Sequence, residues 1–326
     1  METAFLLPKK PVNHDLNRSI PGSSMKDILG SKRPGRSLRA EILLDGKDWS
    51  WTLSETAPLF GEDWMTRVTY EGDELTPTSA WREVCRFDDR QVHHREYERR
   101  LTAGVRHQRQ VTLCPLDNVI VLAEAFLSPR SRTWEYESRL ELASGVRLDP
   151  AVETQEFGLI VGTSRGLILP LALPEWKTAG QTSGLVHEEN HLVARYKFVG
   201  RSFFFPLCLV LSKRDKESVD QTQSPRHSVH DQTPLFTWRQ LTVSECLRRV
   251  APDEAVGFRM QVEHRQWLLY RSLTRPANRA VLGHNLISES LFARFIAQGR
   301  VIPLVEVELD EEADSDNGAA DDDRGK

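Results

Sequence analysis

Between Trp81 and Leu127 apolar and polar residues alternate, and turn residues break the alternation at Asp88-Asp89, at Thr102-Ala103-Gly104 and at Pro115-Leu116-Asp117-Asn118. Period two with a turn signal about every ten residues marks antiparallel strands, because successive side chains of a pleated strand point to opposite faces. The texture continues along the chain, predicting strands over 38–44, 48–53, 133–142, 157–161, 167–171, 191–199, 202–211, 235–243, 255–262, 265–273 and 300–309. The only helix candidates are 243–250 and 289–297, and the second reads equally well as strand. The expected fold class is therefore all-β, a large antiparallel β-sandwich or supersandwich with few short helices.

Residues 1–36 are rich in Pro, Ser, Gly, Lys and Arg and carry no apolar period, so the sequence predicts a disordered amino-terminal arm. Residues 37–309 then read as one β-sandwich domain with a polar loop at 213–233, and 310–326 as a disordered acidic tail. Of the 47 acidic and 43 basic residues, eight and two fall in that tail, which leaves the body near neutral. Arginines are spread along the strands beside Glu and Asp, so no nucleic-acid face is expected. The four cysteines, Cys85, Cys114, Cys208 and Cys246, form no CxxC pair and three of them sit in apolar strand patterns, which predicts reduced, structural thiols. With only Ala4 to Leu7 as an apolar run at the start and nothing approaching a membrane span, the expectation is a soluble, cytoplasmic chain with no membrane partner.

Two motifs invite a catalytic reading. Gly162-Thr163-Ser164-Arg165-Gly166 matches the nucleophile elbow, but Pro170 and Pro174 follow where the elbow needs a helix, so a hairpin turn is the expected structure. His187-Glu188-Glu189-Asn190-His191 matches the HExxH zinc helix, yet its flanks favour strands. A three-residue loop at Glu188-Glu189-Asn190 would set His187 and His191 opposite each other with Cβ atoms roughly 5 Å apart, a pair able to share a metal. No third ligand is identifiable, and no cofactor is expected.

If Thr102-Ala103-Gly104 is a turn, Leu101 pairs with Val105, Arg99 with His107 and His93 with Leu113, which separates His93 from His107 by roughly 20 Å along the ladder. They cannot bind one metal, but His93, Tyr97 and His107 remain candidates for acid–base work on the sheet face. Trp49 and Trp51 share one face of an expected strand, where an aromatic pair suits the apolar side of a sugar ring. Carbohydrate is therefore the ligand class considered for a binding or scaffold module; the alternative is a lyase-like or hydrolase-like enzyme on the same sheet.

The segment HQRQVTLCPLDNVIVLAE, His107 to Glu124, resembles a stretch of the β-sheet domain of heparinase II/III-like polysaccharide lyases, in which an Arg-bearing strand leads through a short turn into a very apolar one. The resemblance implies a β-sandwich or supersandwich over most of 38–309 and favours a glycan as ligand. It transfers no catalytic residue. The α/α toroid on which that family's chemistry depends has no counterpart here, and the acidic residue near the end of the apolar strand is offset to Glu124.

Overall fold

The computed structural model describes residues 59–212 and 234–309, except 163, 297 and 298 and the side chains of 62, 212 and 309, together with the backbone of strands Lys9–Pro11, Arg39–Asp45 and Asp48–Ser54. Trp49 and Trp51 lie in the last of these strands, and their side chains fall outside the described residues, as do 213–233 and 310–326. The described residues are all-β. No helix among them reaches seven residues, and none is long and apolar enough to cross a membrane.

Two strands organise the fold. Val119–Leu142 and His191–Ser212 are 24 and 22 residues long and pair along nearly their full length, where the sequence pattern suggested two separate strands each. The register slips at one place, between Gly200 and Ser202, opposite residues 128–131. An unequal count across a pair bends the ribbon, and Gly200 sits at that bend because a Cβ there would meet the Phe198 ring at 2.5 Å and Asp253 Cβ at 2.9 Å. The bend doubles the ribbon back on itself. Tyr136 and Glu124 belong to one strand and stand 12 residues apart, about 40 Å if straight, yet their side chains share a 2.9 Å hydrogen bond.

Three layers result. The inner leaf of the eleven-stranded sheet contains the 119–127 and 202–212 halves with Arg106–Cys114, His93–Arg100 and Arg82–Asp88 on one side and Ser164–Pro170, Phe157–Val161 and Val146–Pro150 on the other. The outer leaf is the 132–142 and 191–200 halves, flanked by Phe60–Tyr70 and Gly184–Glu188. A six-stranded sheet, with Ala255–Val262, Arg265–Ser272, Ser290–Phe295 and Val301–Leu309 at its centre, covers the far face of the inner leaf. The alternation in Val119–Leu142 feeds both interfaces: Ile120, Leu122 and Phe126 pack toward the outer leaf, while Val119, Val121, Ala123, Ala125 and Leu127 pack toward the six-stranded sheet. A strand covered on both faces must be apolar throughout, which accounts for the run at 119–127.

The helix expectation at 243–250 is corrected, and the segment left open between helix and strand at 289–297 forms the strand Ser290–Phe295. Within 243–250, Cys246 and Leu247 take φ of 47° and 65°, which reverses the chain between the short strands Val243–Glu245 and Arg248–Arg249. Ser290–Phe295 is hydrogen-bonded on both sides, to Arg265–Ser272 and Val301–Leu309, and its first four residues are buried from both faces, so its apolar pattern lacked a readable period. Cys85, Cys114 and Cys208 are buried free thiols between the inner leaf and the six-stranded sheet, whereas Cys246 is exposed. The Gly162 segment forms a hairpin turn between Phe157–Val161 and Ser164–Pro170.

Candidate functional site

Among the described residues, the aromatic and aliphatic filling between the inner and outer leaves surrounds a buried polar cluster. Glu124, 1% exposed, points from the inner leaf into this layer. Oε1 accepts from His107 Nε2 at 2.7 Å, from Arg109 Nε at 2.7 Å and from the Thr66 hydroxyl at 2.8 Å, and Oε2 accepts from the Tyr136 hydroxyl at 2.9 Å. Arg109 also donates to the Trp64 carbonyl at 2.7 Å and to Thr66 Oγ1 at 2.6 Å, with its guanidinium 4.4 Å above the Trp64 ring. Thus two strands of the inner leaf and two of the outer leaf are tied to one carboxylate.

The protonation states follow from the partners. Arg99 Nε has only a hydrogen to offer and donates to His107 Nδ1 at 3.2 Å, so the imidazole proton resides on Nε2 and is given to Glu124. Burial pushes His107 down to about 4, against the opposing pull of Glu124, and the ring is neutral at pH 7. Burial by itself would raise the Glu124 carboxyl, but the Arg109 charge and the His107 and Arg109 hydrogen bonds outweigh it and hold the group well below the usual carboxylate range. Tyr136, pushed far up by burial and then by Glu124, remains a phenol. The neighbouring Arg99 is lowered to about 10, chiefly by burial and then by the Arg109 charge, and stays cationic.

This arrangement is saturated. His107 is 0% exposed, its ring stacked on Phe126 at 4.2 Å and met edge-on by Trp81 at 4.8 Å, and both its nitrogens are engaged. A general base needs a lone pair within reach of a substrate proton, and His107 presents none to the surface. Tyr97 lies one diagonal step away in the ladder, paired with Arg109, yet its hydroxyl turns the other way and donates to Glu83 at 3.0 Å. Burial, and then Glu83, raise that phenol to about 12. His93 pairs with Leu113 at the far end of the strand, where its Nδ1 lies in a partly exposed hydrogen bond with Asp88 at 3.0 Å. The three sequence candidates therefore do not converge on one point.

The histidine pair expected to face across a turn is displaced. Glu189 adopts φ 52°, the turn contains two residues rather than three, and Glu188 pairs with His191 while His187 pairs with Leu192. Because side chains alternate, the one-residue difference puts His187 and His191 on opposite faces. Among the described residues no group of three or more His, Cys, Asp or Glu is placed to hold a metal ion.

A second polar feature went unmarked in the sequence. Where the long ribbon bends beside the end of the six-stranded sheet, a cleft of about 730 Å³ opens. Its floor is Leu101, Leu127 and Leu273, all buried, as is Ser202, and its rim carries Arg100, Arg106 and Arg201 with hydroxyls from Thr78, Thr102, Ser128 and Thr274. Arg106 donates from one nitrogen to Glu98 at 3.3 Å, and Arg201 reaches Asp253 at 3.4 Å and Glu254 at 3.0 Å. Both side chains remain 39% exposed. Arg100 and Arg106 face each other across the turn at Thr102-Ala103-Gly104, whereas Arg201 comes from the distant strand His191–Ser212, so no single local motif announces the set.

No protein-family model matches the chain, and no curated protein matches it. Among solved structures it is similar to heparan sulfate lyase HepC from Pedobacter heparinus, with a TM-score of 0.39, 10% identity, and 64% of this chain and 30% of that one covered. A heparinase III structure gives a TM-score of 0.33 at 7% identity, with 63% and 29% covered. A putative kojibiose phosphorylase from the human microbiome gives 0.29 at 11% identity, with 45% and 21% covered. The chain thus aligns with less than a third of each of these proteins.

Proposed function

We propose that this chain is a carbohydrate-binding module for acidic saccharides, with the cleft between the ribbon bend and the six-stranded sheet as its site. The observation that supports this reading is the composition of that cleft. An apolar floor suits the C–H face of a sugar ring, hydroxyls on the rim suit its OH groups, and arginines suit a carboxylate or sulfate through forked N–H donors. None of the described residues lining it is His, Tyr, Cys, Asp or Glu, the groups that would move a proton in lyase or hydrolase chemistry. Binding without turnover is what such a lining supports.

Isothermal titration of the full chain with an oligogalacturonate tests the reading. Binding that weakens with salt, and that falls at least tenfold in both Arg106→Ala and Arg201→Ala, is the expected result. Absence of binding at millimolar ligand, or binding indifferent to both substitutions, sinks it. Release of unsaturated or shortened product during the titration would refute the non-catalytic part alone.

A further inference from the structure

We propose that the acidic segment 310–326 of this chain docks in cis on the arginine-rimmed cleft and competes there with the external ligand. The inference rests on reading the cleft as an anion site and adds its regulation. Position is the first argument. The strand Val301–Leu309 delivers the segment at the end of the six-stranded sheet where the cleft lies: Val307 pairs with Ser290, which in turn pairs with Arg271. Backbone bonds from Glu289 to Val307 and from Ser272 to Glu289 carry the same row outward. Leu273 and Thr274, which line the cleft, stand one and two residues beyond. Leu309 is thus two strand spacings from the cleft wall, about 10 Å.

Length and charge are the second and third arguments. A chain of about eight residues has a root-mean-square span of roughly 15 Å, so the acidic run starting at Asp310 reaches the rim. Asp310, Glu311, Glu312, Asp314 and Asp316 place five carboxylates within the first seven residues after Leu309. Arg106 and Arg201 keep N–H groups beyond those used by Glu98, Asp253 and Glu254, and both are partly exposed. Tethering at this distance sets an effective concentration on the order of millimolar. Even a weak intrinsic affinity therefore lowers the apparent affinity for an external anion by about threefold or more.

The test keeps the full chain. A nitroxide placed through Ser315→Cys, in a Cys246→Ser background so that the exposed native thiol does not react, reports contact by broadening amide signals. Broadening at Ser128, Ser202 and Thr274 in low salt, lost in 1 M NaCl and in Arg106→Ala/Arg201→Ala, is expected. Broadening confined to Lys9–Pro11 and Val301–Leu309, or unchanged by salt, overturns the docking. In parallel, neutralising the five acids (Asp→Asn, Glu→Gln) should tighten oligogalacturonate binding at least threefold. Equal affinity with and without the five acids overturns the competition while leaving the cleft a saccharide site. Salt-sensitive broadening at the cleft with no saccharide binding to either form leaves the docking standing and removes the ligand reading instead.

Discussion

Replacing Glu124 by Gln isolates what the buried cluster contributes, because the two side chains are nearly isosteric. The carboxylate accepts from Thr66, His107, Arg109 and Tyr136, and it is the negative charge directly bonded to a guanidinium that is itself only 3% exposed. Gln keeps one acceptor oxygen and replaces the other with an NH2 group, from which the Thr66 and Tyr136 hydroxyls can accept but the His107 and Arg109 N–H groups cannot, and it removes the charge that balances Arg109. Removing one partner of a buried ion pair costs about 3–5 kcal/mol, since the remaining charge stays desolvated. Against a typical total of about 5–15 kcal/mol, that is a large fraction. With a urea dependence of about 3 kcal/mol per molar, the unfolding midpoint of the full chain should fall by about 1 M or more. The double variant Glu124→Gln/Arg109→Met should recover part of the loss, with a coupling of about 2 kcal/mol. A midpoint change worth less than about 1 kcal/mol, or strict additivity of the two substitutions, would refute the claim that this carboxylate joins the leaves.

Acid should act through the same cluster. His107 is held at about 4 in the fold against an ordinary 6.5, so between those values the unfolded chain takes up a proton that the native chain refuses. Stability is therefore fully present above pH 6.5 and falls as pH drops toward 4, by roughly 3 kcal/mol from this group. Glu124, depressed in the fold, extends the loss below its ordinary 4.5. Urea midpoints from pH 7.5 to 4 should show this slope and His107→Gln should flatten its upper part; an unchanged slope counts against a neutral buried imidazole. At the surface, an alkylating reagent should modify one thiol per native chain, at Cys246, and four in denaturant, because Cys85, Cys114 and Cys208 are buried. Burial also raises the Cys114 and Cys208 thiols, which keeps them protonated and unreactive. Mass spectrometry of the labelled peptides reads this directly, and labelling of Cys208 at the native rate of Cys246 contradicts the packing.

Local alternation was enough to determine strand existence and, through the turn at Thr102-Ala103-Gly104, the pairing of Arg99 with His107 and of His93 with Leu113. Turn chemistry and period two act over a few residues and are written in neighbouring letters. The helix expectation at 243–250 went wrong, and 289–297 stayed open between helix and strand, where neighbours decide: two non-glycine residues in left-handed conformation at one site, and burial from both faces at the other. The HExxH segment was read correctly as a hairpin and missed by one residue in its loop, which was enough to part the two histidines. Glu124 stood out in the sequence only as an acid at the end of an apolar strand. That it would meet Arg109 and His107 follows from adjacent strands, but its bonds to Thr66 and Tyr136 exist because the ribbon bends between Gly200 and Ser202 and lays one half of a strand over the other. Alternation says which face a side chain takes and nothing about what will cover that face. Sequence by itself thus settled the strands, the near neutrality of the body and the acidic run at 310–326. The three layers, the sealing of His107 and the approach of Arg201 to the locally paired Arg100 and Arg106 were decided by tertiary packing between strands that are not neighbours in the chain.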